Sequence, residues 1–300
     1  MRETYGAIAR RLRDGVPFAA ATLVATRGAK ASAIGTTLIV ERDGSFFGDI
    51  GAGCHEGAIV ERAVAMLASN DAKAEVLRFE LDDEVLVGTG CGASLDVVLW
   101  RPGSDFAPTA ERIAAGDEEA RFELEGATIA FPRRARLVIV GATALAAELT
   151  AFAHRADYAV ALVDPRPAFA TRARQPDADE LIVAWPNDGL AAKLFAEATA
   201  IAILSHDVKL DVPALHAALA SGARYIGLLG NRRVQRARRA ALREEGYDDA
   251  QLARIHGPTG LDLGGTTDGQ TALSILAEIL AVERNRSGAP LGITTGSIHP

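Results

Sequence analysis

The two cysteines of this chain each follow a Gly-x-Gly step, in Gly51-Ala52-Gly53-Cys54 and Gly88-Thr89-Gly90-Cys91. A rare residue used twice in the same setting points to thiol chemistry. Gly51 and Gly53 let the backbone bend and approach a ligand, because no Cβ stands in the way. Cys54 falls where a helix should begin, since Ala58, Ile59, Ala63, Met66 and Leu67 recur at helical spacing. A thiol there faces the positive end of a helix, which favours thiolate. Cys54 and Cys91 are therefore candidate catalytic residues, singly or as a redox-cycling pair. The plainer alternative is two buried thiols acting as small hydrophobes. Neither belongs to a zinc-type Cys-x₂₋₄-Cys spacing, and no serine sits in a Gly-x-Ser-x-Gly elbow.

A second set of candidates lies further along. Gly141-Ala142-Thr143-Ala144-Leu145-Ala146 follows an apolar strand, where a dinucleotide fold wants Gly-x-Gly-x-x-Gly. The first glycine is kept, Ala146 still permits close packing, and Thr143 puts a side chain where pyrophosphate would pass. Asp164 stands 23 residues after Gly141, in the place of a ribose-binding acid, and Asp164-Pro165-Arg166 could equally cap a loop. Ser205-His206-Asp207 ends another strand, and His206 is a candidate proton carrier or a loop residue bonded to Asp207. Gly230, Arg232 and Arg233 open a basic helix, where free N–H groups and two guanidinium groups suit a phosphate or carboxylate. Arg236, Arg238, Arg239 and Arg243 of that helix read as a solvated face. His256, among the turn residues from Ile255 to Gly265, marks a loop shaped around a ligand or a domain contact.

These residues need a scaffold. Up to Phe131 the pattern is a helix, a strand over Phe18–Thr26, a hairpin turning at Arg42-Asp43-Gly44-Ser45, a helix to about Ala68, and strands at Val76–Leu81 and Ala93–Trp100. Arg101 to Ala120 reads as a linker with one helical turn at most, and Arg121 to Phe131 as a short strand pair. From Leu137 the chain alternates short apolar strands with helices, the signature of a parallel sheet covered on both faces. The expected architecture is α/β: residues 1–132 form a smaller mixed α+β domain, 133–285 a Rossmann-like doubly wound parallel sheet, and 286–300 a tail.

The composition, 49% hydrophobic and 24% charged, is that of a globular protein with a full core, and no apolar run is long enough to span a membrane. A net charge of −7 argues against a nucleic-acid binder. Few cysteines and an arginine-rich start, rather than a secretory signal, predict a cytoplasmic protein with free thiols.

Several stretches together resemble the XdhC/CoxI family, accessory proteins of xanthine dehydrogenase and carbon monoxide dehydrogenase. In the first domain they are Ala21-Thr22-Leu23-Val24, Asp43 to Gly48, Gly51 to Cys54 and Cys91 to Val97. In the second they are Val163 to Arg166, Ser205-His206-Asp207 with Leu210-Asp211, Tyr225 to Gly230, Arg232-Arg233, Ile255-His256, Gly260-Leu261-Asp262 and Ser274 to Ile279. The resemblance implies a maturation factor that binds the molybdenum cofactor (molybdopterin or its dinucleotide form). Such a factor holds the cofactor while a cysteine desulfurase supplies sulfur, then delivers it to a molybdenum hydroxylase. It implies Cys54 as the contact to the metal, with Cys91 beside it, and Arg232 and Arg233 at the cofactor's phosphate. Homodimerisation follows from the same resemblance and from strand edges that need cover. The chain departs from the family where Thr143 and Ala144 replace a glycine and a histidine of the nucleotide loop. An NAD(P)-dependent oxidoreductase built on the parallel sheet is the rival expectation, kept alive by Asp164.

Overall fold

A computed structural model of the chain describes residues 1–28, 33–50, 55–69, 73–79, 93–117 and 119–295. Gly51, Gly53, Cys54 and Cys91 lie outside the described residues. The chain divides into two compact units, the second beginning at Arg134.

The first unit runs α1 (Arg2–Asp14), β1 (Phe18–Gly28), β2 (Thr37–Glu41), β3 (Phe46–Gly48), α2 (Glu56–Ala68), β4 (Glu75–Phe79), β5 (Ala93–Trp100), α3 (Ala107–Ala115), β6 (Arg121–Leu124) and β7 (Ala127–Ala130). Five strands form an antiparallel sheet in the order β3-β2-β1-β5-β4. Alternate residues of β1 feed two cores, so the strand reads as one apolar run although its faces differ. Phe18 and Ala20 pack with Tyr5 and Ile8 of α1 and Ile113 of α3. Ala19, Ala21 and Leu23 pack with Ile59, Ala63 and Met66 of α2.

The stretch from Arg101 to Ala120 is not a linker. It holds α3, whose Ala110 and Ile113 are fully buried. Pro108, which reads as a loop signal, occupies the first turn, where a missing N–H costs nothing, and Gly116 closes the helix in the left-handed conformation.

The second unit runs β8 (Ala135–Val140), α4 (Ala144–Arg155), β9 (Tyr158–Val163), β10 (Glu180–Ile182), α5 (Gly189–Glu197), β11 (Ala200–Ile203), α6 (Val208–Ala220), β12 (Tyr225–Leu228), α7 (Arg232–Glu244), α8 (Asp249–Ala253), β13 (Ile255–His256) and α9 (Asp268–Glu283). All six strands are parallel, in the order β10-β9-β8-β11-β12-β13. This is a Rossmann-like doubly wound sheet. Val138, Val140, Ile201 and Ile203 face α5 to α8, and Leu137, Ile139, Ala200 and Ala202 face α4 and α9. Helix α6 starts at Val208, where Asp207 caps it by accepting the N–H of Lys209 at 3.0 Å. Ile255 and His256 are no loop: they pair with Ile226 and Gly227 as the last parallel strand.

Candidate functional site

In such a sheet the strand order reverses beside the first strand, and ligands sit in the crevice over its carboxyl end. Here that place lies between β8 and β11. Gly141 leaves β8 with φ 101°, and a Cβ on it would come 2.8 Å from Cα of Ser205 at the end of β11. The surviving glycine of the loop thus serves the approach of two chain segments. Thr143 caps α4, its hydroxyl accepting the N–H of Ala146 at 3.2 Å.

Asp164 is fully buried. One carboxylate oxygen accepts the N–H of Ala142 at 2.8 Å and Nη2 of Arg166 at 2.7 Å; the other accepts N–H and Nε of Arg166, both at 2.9 Å. Burial alone would raise this carboxyl, but the guanidinium and N–H donors outweigh it and hold it below its ordinary range. The expected ribose-binding acid is instead an internal bracket tying the β9 turn to the β8 turn, with no surface to offer a ribose. Arg166, half-buried, also stacks on Phe169 with its guanidinium carbon 4.0 Å from the ring centre.

Beyond β11, Ser205 and Asp211 are buried, and the Ser205 hydroxyl donates to Asp211 Oδ1 at 2.5 Å. Asp211 Oδ2 accepts Nη2 of Arg238 at 3.1 Å. His206 stands exposed between them and Asp207, with φ 58°. It has no hydrogen bond among the described residues, so it is not bonded to Asp207.

Past β12, Gly230 turns with φ 126° into α7, whose first turn is capped by Asn231: its side-chain oxygen accepts the N–H groups of Arg233 and Val234, both at 3.0 Å. Those N–H groups are therefore not free for an anion. Arg232 and Arg233 are exposed, and neither has a partner among the described residues. The rest of the helix is only in part the expected solvated face: Arg236 and Arg243 are exposed, while Arg238 and Arg239 turn inward. Arg238 is held by Asp211, Arg239 donates to the carbonyls of Leu252 and Ile255 at 2.7 and 2.6 Å, and Arg243 pairs with Asp249 at 2.9 Å. Sequence periodicity shows such a stripe as basic but not which of its members turn inward.

His256 belongs to another constellation. Its ring stacks on Tyr225 at 4.7 Å, and Nδ1 lies 3.6 Å from Glu278 Oε1 on α9. Glu278 Oε2 also accepts the Tyr225 hydroxyl at 2.5 Å and the N–H of Gly260 at 2.7 Å. Burial pulls the Glu278 carboxyl up, and these three donors bring it below its ordinary range; burial beside the same carboxylate pushes the Tyr225 phenol up. Glu278, Asp211 and Arg238 are not legible from sequence as site residues. The available signal is a charged side chain set within an apolar helical run, as in Leu210-Asp211-Val212 and Ala277-Glu278-Ile279.

In the first unit, α2 starts directly after the Cys54 segment. His55 stacks on Phe79 at 4.5 Å. The Glu56 carboxyl is pushed up by burial and by the hydrogen bond and charge of Asp49. Among the described residues no group of three or more His, Cys, Asp or Glu is arranged to hold a metal ion, and no helix is long and apolar enough to cross a membrane.

Fold and site define a class: an antiparallel α+β unit joined to a Rossmann-like unit whose carboxyl edge carries unpaired arginines. Within it, residues 137–279 match the XdhC Rossmann domain and residues 11–80 match the XdhC and CoxI family. The chain belongs to that family. It is similar to the molybdenum cofactor insertion chaperone PaoD of Escherichia coli K12, 25% identical over 87% of this chain and 82% of that protein. It is 26% identical to the E. coli protein YqeB, over 95% of this chain and 46% of that one. A probable xanthine dehydrogenase subunit from Bacillus subtilis 168 is 28% identical, over 50% of this chain and 43% of that protein. A solved structure described as a xanthine dehydrogenase from Bacillus halodurans shares the fold, with a TM-score of 0.70 at 21% identity and 98% of each chain covered.

Proposed function

We propose that this protein is a molybdenum-cofactor-binding maturation factor: it holds the cofactor while a cysteine desulfurase supplies sulfur and inserts it into a molybdenum hydroxylase of the xanthine or carbon monoxide dehydrogenase type. The observation that carries this reading is similarity to PaoD along 87% of the chain, including both units. The described residues fit such a cargo. Its phosphate, in the molybdopterin or the dinucleotide form, suits the unpaired Arg232 and Arg233 beside Gly230. Cys54, at the start of α2 by its sequence setting, suits a soft metal or a sulfur in transit, with Cys91 as a second thiol. We include a cytoplasmic homodimer in the proposal; light scattering that returned only the 31.4 kDa monomer would remove the dimer.

An NAD(P)-dependent oxidoreductase gains less support, because Asp164 has both oxygens engaged inside the chain and Thr143 is spent on capping α4. The deciding experiment is anaerobic binding of molybdenum cofactor released from a donor enzyme. Wild type is expected to bind, Cys54→Ser to bind more weakly, and Arg232→Ala to weaken binding by about tenfold, the cost of one charge-assisted contact. Dinucleotide binding with no cofactor binding by wild type would refute the proposal in favour of the oxidoreductase.

A further inference from the structure

Four described residues other than glycine have positive φ: Glu125, Asp157, His206 and Asn285. Three occupy places where that conformation is ordinary. Glu125 lies in the turn between β6 and β7, and Asp157 and Asn285 follow the C-caps of α4 and α9. His206 lies between a strand and a helix at the carboxyl edge, where the chain leaves β11 beside β8. Left-handed backbone is costly for a residue with a Cβ, and it persists where the surroundings over-determine it.

They do so here. Ser205 lies against Gly141, so close that no Cβ would fit between them. Its hydroxyl is held by Asp211, itself held by Arg238, and the N–H of Asp207 donates to the Ser205 hydroxyl at 3.3 Å. Asp207 is pinned as the cap of α6. Both neighbours of His206 are thus fixed, while its imidazole projects to solvent and bonds nothing among the described residues. A glycine would satisfy this backbone better; the side chain contributes nothing to the fold that the structure records.

The charges nearby say what the imidazole suits. Arg166 is already paired with Asp164, and Asp207 is near enough to hold the Arg166 guanidinium further in its charged form. An incoming phosphate would meet the Asp207 carboxylate beside His206, and Arg166 is already committed to Asp164. A neutral nitrogen heterocycle would meet the exposed imidazole with the Asp207 carboxylate next to it in the chain. Two unpaired arginines, Arg232 and Arg233, stand past the neighbouring strand.

We infer that His206 is a ligand-contact residue, its imidazole hydrogen-bonding the neutral pterin-ring end of the cargo over β8 and β11 while the phosphate end lies toward Arg232 and Arg233. The inference rests on the proposed function for the identity of the ring, not for the role of His206. It is tested with wild type, His206→Gly and His206→Ala, by thermal unfolding and by calorimetric binding of three probes: released molybdenum cofactor, free pterin and NAD⁺. His206→Gly is expected to keep the wild-type melting temperature or raise it by up to about 4 °C, since strain is relieved. Both variants are expected to lose tenfold or more in affinity for whichever probe wild type binds. Loss of NAD⁺ binding with no cofactor binding by wild type would sustain His206 and remove the maturation factor. Cofactor bound equally by all three proteins would do the reverse. A lower melting temperature in His206→Gly would make the imidazole structural and overturn the inference, and so would the failure of wild type to bind any probe.

Discussion

Gly141 shows how much one residue can mean differently in a sequence and in a structure. Its position after an apolar strand is that of a phosphate-loop glycine, and that much can be read from spacing. What cannot be read is its neighbour, because Ser205 is sixty-four positions away in the chain and arrives through the β8–β11 pairing. The absent Cβ is needed for that approach, and the positive φ is needed for the N–H of Ala142 to reach Asp164. Asp164 is a similar case: spacing places it correctly at the end of β9, while its role depends on Arg166 folding back onto it. Gly141→Ala would combine left-handed strain with overpacking against backbone, and is expected to destabilise the protein by roughly 2–4 kcal/mol. Urea unfolding measures it. A loss under about 0.5 kcal/mol, the size of an ordinary surface change, would mean that the Ser205 segment yields and that the glycine is free to serve a ligand instead.

At the scale of elements, apolar periodicity makes most of the architecture legible, since β8, β9, β11 and β12 are continuous buried runs and α4 and α9 have clear stripes. The misread elements share a cause: their burial is supplied by partners rather than by their own composition. Helix α3 has a single large apolar residue, Ile113, but packs on α1, and β13 is two residues long, recognisable only through Ile226 and Gly227. The link from β9 to β10 carries the same lesson. Asp179 precedes β10, and its Oδ2 accepts the N–H of Val160 at 2.7 Å and Nε2 of His154 at 2.9 Å. Arg134 lies 3.4 Å away. Burial would raise this carboxyl, but those donors bring it down to about 2. A carboxyl depressed in the folded state stabilises it above the unfolded pKa of about 3.9, and that contribution is lost as pH falls toward 2. Asp179→Asn is therefore expected to be less stable than wild type at pH 7, with a gap that narrows steadily below about pH 4. Paired urea midpoints at pH 7, 5, 4 and 3 give the comparison. A gap of constant size across that range would show that the carboxylate charge contributes nothing there.

For the whole molecule, the division at Arg134 separates two kinds of chemistry as well as two folds. Both cysteines belong to the first unit by sequence, and the unpaired arginines and His206 to the second. Among the described residues, every buried member of the two cores that flank the parallel sheet comes from Leu137 to Ile279, and all six strands of that sheet lie beyond Arg134. A unit that buries its own apolar faces without borrowing a strand has what independent folding requires. The fragment 134–295 is accordingly expected to be soluble and to unfold in one cooperative transition, with near-ultraviolet signals from Tyr158 and Tyr225 retained. Aggregation, or a spectrum lacking fixed aromatic signals, would show that its cores are insufficient. The folded fragment then apportions the cargo. With Arg232, Arg233 and His206 present and no thiol, it should keep the affinity due to phosphate and ring and lose whatever Cys54 supplies. Released molybdenum cofactor should bind it more weakly than the full chain and no more weakly than Cys54→Ser. Affinity equal to the full chain would place the whole grip in the Rossmann-like unit and leave the cysteines to sulfur transfer alone.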